Sequence, residues 1–184
     1  MHHKFAFIMH PRYNVRADMG DWLAPFSLVP DWAWPIAFDR LPLPPMITGK
    51  VFFPHQPKDE AGILITLPFT PAQMLTLPRS RVQAKLDQAV DVARDMGAKI
   101  IGLGALTAPI SAGGKTLAKR TDVGVTNGNA FTAAMTLAGI ERLLPLLPSD
   151  PLIAIVGATG SVGGCLTRLF ARRHSGRLLL VARN

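Results

Sequence analysis

The sequence predicts an α/β fold, an amino-terminal α/β domain followed by the first β-α-β of a Rossmann domain. Three observations support this prediction. Apolar runs of strand length alternate with helix-periodic segments from Gly62 onward, prolines interrupt the chain at 145–151, and a glycine-rich turn follows an apolar run near the carboxyl end. We therefore expect a substrate-side domain at residues 1–148 and the start of a nucleotide-binding domain at 149–184.

The amino-terminal segment predicts a strand and then an irregular cap. Residues 4–10 are apolar but short, and no small-residue cleavage site follows them, so we interpret them as a strand and not as a signal peptide. Residues 20–57 hold eight prolines and all three tryptophans. Proline removes a backbone donor and fixes φ, so we expect this stretch to form a structured cap of short turns without long regular elements.

Regular alternation follows the cap. Thr70-Pro71 is typical of a helix start, with Thr70 as the N-cap, and Gly97 is typical of a left-handed helix end. Loops are expected at 104–115 and at the proline linker. The predicted strands are 62–67, 99–103, 123–126, 152–156 and 177–182, and the main predicted helices are 78–96, 129–144 and a shorter one after the glycine-rich turn.

Composition excludes several classes of protein. The net charge is +8, but the Lys and Arg residues are dispersed, no basic run is interleaved with aromatics, and no zinc-ligand spacing occurs. We therefore expect a solvated basic surface and no nucleic-acid partner. No apolar run approaches the roughly 18 residues of a transmembrane helix. A single cysteine rules out an internal disulfide and fits a reducing cytoplasm, and the sequence leaves the oligomeric state open.

The glycine-rich turn predicts a dinucleotide phosphate site. It lies between an apolar strand and a helix, and a second strand follows. A glycine-rich turn in this β-α-β context is typical of dinucleotide binding. The first glycine permits the tight turn, the second lets the backbone approach a pyrophosphate, and the third lets the helix pack closely on the sheet. Backbone N–H groups at the helix start favour an anion. The predicted cofactor residues are Gly157, Thr159, Gly160, Ser161, Val162 and Gly163.

The end of the second strand predicts which cofactor is bound. NAD-selective sites place Asp or Glu there to bind the ribose 2′-hydroxyl, whereas arginine accommodates the 2′-phosphate of NADP(H). This chain has Arg183 and Asn184 and no acidic residue nearby, so we expect NADP(H). Cys165, in the first turn of the following helix, is interpreted as a small buried hydrophobe, with a reactive thiolate as the alternative.

Several segments together resemble a known family. The resemblance rests on Lys99-Ile100-Ile101-Gly102-Leu103-Gly104-Ala105-Leu106-Thr107, Gly113-Gly114, Val125-Thr126-Asn127-Gly128-Asn129-Ala130-Phe131-Thr132 and Gly157-Ala158-Thr159-Gly160, with Phe5–Pro11, Ile47-Thr48-Gly49 and Thr70-Pro71-Ala72-Gln73-Met74. In combination these resemble the long-chain acyl-[acyl-carrier-protein] reductases and their bacterial relatives, often described as amino-acid or shikimate dehydrogenases.

The resemblance implies an activity. Such enzymes reduce a fatty-acyl thioester on acyl carrier protein or coenzyme A to an aldehyde with NADPH, through a cysteine that takes the acyl group first. In the family that cysteine lies beyond the second strand of the nucleotide domain. We therefore expect this chain to be an inactive amino-terminal part, with its catalytic residues not located. Basic residues expected to dock the acidic carrier are Arg79, Arg81, Lys85, Lys119 and Arg120.

Substrate-side candidates remain open. They are His10, Thr107, Gly113, Gly114, Gly128 and Asn129. For His10 the alternative is a structural histidine, for the glycine pair a mobile turn, and for Asn129 a helix N-cap. Two other functions also remain open: a shikimate- or amino-acid-type NADP dehydrogenase acting on a small polar ketone, and a non-catalytic binding remnant. The aromatic residues of the cap favour an aliphatic substrate.

Overall fold

The computed structural model describes residues 4–183, and within them the chain has the predicted α/β architecture. The strands are β1 (Lys4–Met9), β2 (Met46–Phe53), β3 (Gln56–Thr66), β4 (Ala98–Leu103), β5 (Gly124–Thr126), β6 (Leu152–Val156) and β7 (Arg177–Val181). The α-helices are α1 (Val15–Trp22), α2 (Ala33–Arg40), α3 (Pro71–Thr76), α4 (Arg79–Asp95), α5 (Thr107–Ile110), α6 (Asn129–Leu143) and α7 (Ser161–Arg173).

The chain divides into two compact units, a first unit of Met1–Asn127 and a second unit of Gly128–Asn184. This division lies earlier than the boundary expected at 148/149. The reason is the packing of α6, whose Ala133 and Leu137 share one hydrophobic core with Ile155, Leu166 and Phe170. A helix expected to close the substrate-side domain thus belongs to the compact unit that carries the glycine-rich turn.

The first unit is built on a five-stranded sheet of order β2-β3-β1-β4-β5. The β1, β3, β4 and β5 strands run parallel, and β2 joins the edge as the antiparallel partner of β3. The chain moves from β1 to one side of the sheet and then crosses to β4 on the other side. The carboxyl ends of β1 and β4 therefore flank a point where strand order reverses, the position at which open α/β sheets commonly bind ligands.

One face of this sheet is covered by α4. The helix turns an apolar stripe toward the strands, because its buried residues recur at spacings of three and four. Thr70 and Gln73 form a reciprocal capping box at the start of α3, as the sequence predicted for Thr70. Gly97 ends α4 with φ of +88°, also as predicted. Core residues on α4 are Val82, Leu86, Ala89, Val90 and Ala93.

The cap is more regular than the sequence predicted. We expected short turns throughout 20–57, and this prediction is wrong for two stretches. Residues 33–40 form α2, and residues 46–53 form β2. Pro35 is the third residue of α2, where a helix needs no N–H group from the backbone. The β2 strand contains no proline and pairs along the sheet edge. Trp34 and Phe38 of α2 are buried against Val15 and Met19 of α1.

The second unit is a β-α-β arrangement with α6 added. The β6 and β7 strands are parallel and in register from Leu152↔Arg177 to Val156↔Val181. The α7 helix joins them, and its buried Leu166 and Phe170 lie in the second-unit core. Across the described part of the chain, no helix is both long and apolar enough to cross a bilayer.

A charged cluster ties the end of α4 to the segment before β5. Arg120 binds Asp122 at 2.6 Å and Asp91 at 2.9 Å, and Arg94 also contacts both carboxylates. The hydrogen bond from Arg120 holds the pKa of Asp122 well below its usual range, and Arg94 adds to this effect. A carboxylate with a depressed folded-state pKa stabilises the fold above its unfolded pKa, and this contribution is lost as pH falls through the folded pKa.

This cluster predicts an acid-sensitive contribution to stability. Wild type should lose stability as pH falls below about 4, the unfolded value for Asp, and Asp122→Asn should flatten that decline. The change should be small, because the pairs are partly exposed. Urea midpoints measured across the acid range test this, with the exposed Asp59→Asn as the matched control. Equal acid slopes for wild type and Asp122→Asn would contradict the assignment.

Candidate nucleotide-binding site

The glycine-rich turn leaves β6 through a sharp reversal. Gly157 follows Val156 with φ of +80°, a conformation that strains any residue bearing a β-carbon. The N–H group of Gly160 donates to the carbonyl oxygen of Gly157 at 2.8 Å and closes the turn. Gly160 then adopts an extended conformation as the N-cap of α7. The chain thus passes from strand to helix within three residues.

Gly163 allows α7 to begin close against this turn. A β-carbon placed on Gly163 would overlap the carbonyl oxygen of Gly157 and crowd the α-carbon of Ala158. The overlap is with backbone, which has no flexible side chain to move aside. Only glycine fits at residue 163 without moving the helix away from the strand end. The close approach brings the first turn of α7 directly over the carboxyl end of β6.

The amino end of α7 presents donors in this position. Ser161, Val162 and Gly163 are the first three residues of the helix, so their N–H groups have no carbonyl partner within it. Gly164 is the first whose N–H donates back, to Gly160 at 2.8 Å. Thr159 and Ser161 are exposed. These open donors and the helix dipole together favour an anion such as a phosphate.

The turn also fixes the end of β7. Both Gly157 and Ala158 donate backbone hydrogen bonds to the carbonyl oxygen of Val181, at 2.8 and 3.1 Å. Arg183 lies two residues beyond Val181 and is exposed. Arg183 thus lies two residues beyond the strand end that the glycine-rich turn holds. Asn184, the other residue predicted there, lies outside the described residues.

The charge around the turn has one sign. Residues 151–184 contain five arginines and no Asp or Glu. Two of these arginines form ion pairs with acids that precede this stretch, Arg173 with Glu141 and Arg177 with Asp150. Within the described residues no ion pair involves Arg168, Arg172 or Arg183. The field at this part of the second unit is therefore positive.

Cys165 is partly buried and packs against the second-unit core. This location agrees with its interpretation as a small hydrophobe. Within residues 4–183, no group of three or more His, Cys, Asp or Glu side chains is arranged to hold a metal ion.

The first unit brings His10 and Thr107 to the strand-order reversal. Nε2 of His10 accepts a hydrogen bond from the Leu106 N–H at 3.4 Å, and Nδ1 lies 2.6 Å from the carbonyl oxygen of Pro11. Thr107 is fully buried and donates to the carbonyl oxygen of Gly104 at 2.6 Å. Both side chains thus join the ends of β1 and β4, and this geometry favours the structural alternative for His10.

Gly113 and Gly114 lie in a strained loop between β4 and β5. Their φ angles are +74° and +94°. Ala112 before them has φ of +52°, a left-handed conformation that the sequence analysis did not predict. Asn127 Nδ2 donates to the carbonyl oxygen of Gly113 at 2.8 Å. The bond from Asn127 and the three left-handed residues define the backbone conformation of this loop.

The start of α6 differs from the N-cap alternative given for Asn129. Gly128 is the N-cap of α6, with φ of +73°, and Asn129 is the first helical residue. The prediction that Asn129 is the N-cap of this helix is therefore wrong. The sequence signal was ambiguous because both residue types occur at helix starts, and the left-handed conformation selects glycine.

A cavity of about 250 Å³ opens beside the strand ends of the first unit. Thr48 and Thr66 line it, and their hydroxyl oxygens lie 2.8 Å apart. The sequence analysis gave no role to these threonines, although Thr66 lies one residue before the end of a predicted strand and such ends often carry site residues. The remaining lining residues are Met9, His10, Pro11, Arg12, Asp18, Met19, Asp21 and Trp22.

Three basic residues expected to dock a carrier are engaged within the first unit. Arg81 pairs with Asp39 at 2.7 Å, and Lys85 donates to the carbonyl oxygen of Leu43 at 2.9 Å. Burial and the neighbouring Arg81 lower the pKa of Lys85. Arg120 belongs to the charged cluster with Asp122. Intramolecular partners reduce what these cations offer an acidic protein, and of the five only Arg79 and Lys119 have no such contact within the described residues.

The chain is similar to part of a curated protein. No protein-family model matches the chain. A curated relative, the aminotransferase PigE of Serratia sp. (strain ATCC 39006), is 30% identical over 111 residues, which is 59% of this chain and 13% of that protein. The chain thus matches a small part of a much longer relative.

Proposed function

We propose that the second unit is the phosphate-binding part of an NADP(H) site in an oxidoreductase. The observation that carries the proposal is the contact between Gly163 and Gly157, where a β-carbon would overlap backbone. This contact brings the donor-rich first turn of α7 against a strand end, the arrangement that dinucleotide sites use for pyrophosphate. An ordinary strand-to-helix turn has no need of it.

The residues present fit the cofactor. Ser161 and Val162 would hold the pyrophosphate with backbone N–H groups, and Arg183 would hold the 2′-phosphate. A bound NADPH supplies hydride to an electrophilic carbon. Within residues 151–184 no carboxylate is available to accept a hydrogen bond from a ribose 2′-hydroxyl, which supports NADP(H) over NAD(H).

For the substrate we propose an acyl thioester, carried by acyl carrier protein or coenzyme A. The support is the resemblance of the segments quoted above to acyl-carrier reductases. The similarity to PigE covers 13% of that protein, so its name adds no aminotransferase activity to the proposal. The aromatic cap gives less support than the sequence suggested, because Trp34 and Phe38 are buried in its own core.

One observation favours a second candidate, a dehydrogenase of a small polar substrate. The 250 Å³ cavity has hydroxyl groups from Thr48 and Thr66 and carboxylates from Asp18 and Asp21. Its size suits a small compound better than a long aliphatic chain, and the two threonine hydroxyl groups offer hydrogen bonds to a hydroxy or keto group. Ligand-detected NMR of the chain with a long-chain acyl coenzyme A and with a small hydroxy acid separates the two candidates.

The proposal also predicts what this chain does not do. Mixed with NADPH and an acyl coenzyme A, it should bind the cofactor weakly and should not oxidise it. The reason is that the resemblance places the acyl-accepting cysteine beyond β7, whereas the one cysteine of this chain, Cys165, lies on α7 and packs against a hydrophobic core. NADPH absorbance followed with time is the measurement. Steady oxidation that depends on the acyl thioester would contradict this prediction.

A further inference from the structure

Arg168 lies on α7, outside the residues that form the glycine-rich turn. It lies on the exposed face of α7, opposite the buried Leu166 and Phe170. Side chains on a helix lean toward its amino end, and the guanidinium of Arg168 follows this rule. A β-carbon placed on Gly164 would lie 3.7 Å from Nη1 of Arg168 and 3.2 Å from the carbonyl oxygen of Ala158. The guanidinium therefore lies beside the turn, one helical turn before its own α-carbon.

Ala158 is also the residue that connects to the end of β7. Its N–H group donates to the carbonyl oxygen of Val181, two residues before Arg183. Arg168 thus approaches Ala158 from the helix, and Arg183 follows the strand end to which Ala158 is hydrogen-bonded. Neither forms an ion pair within residues 4–183, and the 151–184 segment contains no acid that would neutralise them. Two guanidinium groups without ion pairs, one beside the turn and one just beyond the strand end that the turn holds, favour a dianion over a neutral group.

We propose that Arg168 is a second phosphate-binding arginine, which shares with Arg183 the 2′-phosphate of the cofactor. This inference rests on the proposed NADP(H) site and adds a specificity residue to it. Arg172 lies one turn further along the same exposed face and is the matched control. It has the same charge and exposure, but it lies farther from Ala158.

The experiment measures binding of adenosine 2′,5′-bisphosphate and of adenosine 5′-monophosphate to the 184-residue chain by NMR titration. Arg168→Ala should weaken binding of the bisphosphate about fivefold, the effect of one exposed charge contact, and leave the monophosphate unchanged. Arg168→Gln should do the same, and Arg168→Lys should recover part of the loss. Arg172→Ala should change neither affinity by as much as twofold.

Two outcomes would overturn the inference while leaving the proposed function intact. The first is a bisphosphate affinity of Arg168→Ala equal to that of Arg172→Ala. The second is an equal loss for both nucleotides, which would place Arg168 at the 5′-phosphate or in the general field. If the wild-type chain bound neither nucleotide, the proposed function would fail first, and Arg168 would have no phosphate to bind.

Discussion

Replacing Arg183 with alanine should remove most of the preference for NADPH over NADH. Arg183 follows β7, whose end is hydrogen-bonded to the glycine-rich turn, and no acid in 151–184 competes for its guanidinium. A charge-assisted hydrogen bond to a phosphate contributes roughly 1.5–3 kcal/mol, which corresponds to about 10- to 150-fold in affinity. Equilibrium binding of both cofactors to wild type and variant measures the change.

The control for this prediction is NADH itself, together with Arg172→Ala. NADH lacks the 2′-phosphate, so its affinity should hardly change when Arg183 is replaced. Arg172→Ala removes the same charge from an exposed part of α7 and should leave the ratio of the two affinities unchanged. An equal loss for NADH and NADPH would show that Arg183 acts on folding or on the shared phosphates.

The second large effect is expected for Gly163→Ala. The added methyl group overlaps the backbone of Gly157 and Ala158, so α7 must move away from the end of β6. Overpacking of this kind costs about 1–3 kcal/mol of stability, and the displaced helix also moves the N–H groups that would hold pyrophosphate. We expect a lower urea midpoint and a loss of both NADPH and NADH binding, measured on the same preparations.

Gly139→Ala is the matched control. Gly139 lies within α6 of the same unit, and a β-carbon there meets no atom within 4 Å. Alanine should therefore raise stability slightly through its better helix propensity, by up to about 1 kcal/mol, and leave binding unchanged. Similar behaviour of the two variants would mean that the close contact at Gly163 is not needed for the site.

The geometry of the glycine-rich turn was predictable from sequence because each of its requirements is local. Strand, glycine and helix signals all lie within about 30 residues, and the left-handed Gly157 and the crowded Gly163 follow from the spacing of the glycines. The same holds for the Thr70 cap and for Gly97. Local patterns of this kind depend little on the rest of the fold.

The cap and the first-unit sites depend on contacts that sequence spacing does not reveal. The β2 strand exists because the long β3 offers it an edge, although prolines precede and follow it. The partners of His10 and Arg81 come from distant segments, Leu106 and Asp39. Thr48 and Thr66 meet only when β2 pairs with β3. Pairing between strands, and not composition, decides these features.

The boundary between the units shows the same limit. The prolines after α6 are a good linker signal, yet α6 packs its Ala133 and Leu137 onto the core formed by β6 and α7. A helix that is apolar on most faces gives no indication of which neighbour it will cover. The sequence predicted the bounds of this helix closely but assigned it to the substrate-side domain, whereas α6 packs in the second unit.

The most direct test of the NADP(H) site is an amide-detected NMR titration of the 184-residue chain with NADPH. The account predicts saturable shifts that are largest at the N–H groups of Ser161, Val162 and Gly163, because these donors face the proposed pyrophosphate. The amide signal of Arg183 should also shift, by a smaller amount, with NADPH and should not shift with NADH. Saturable shifts confined to other parts of the chain, or no saturation with either cofactor, would contradict the account.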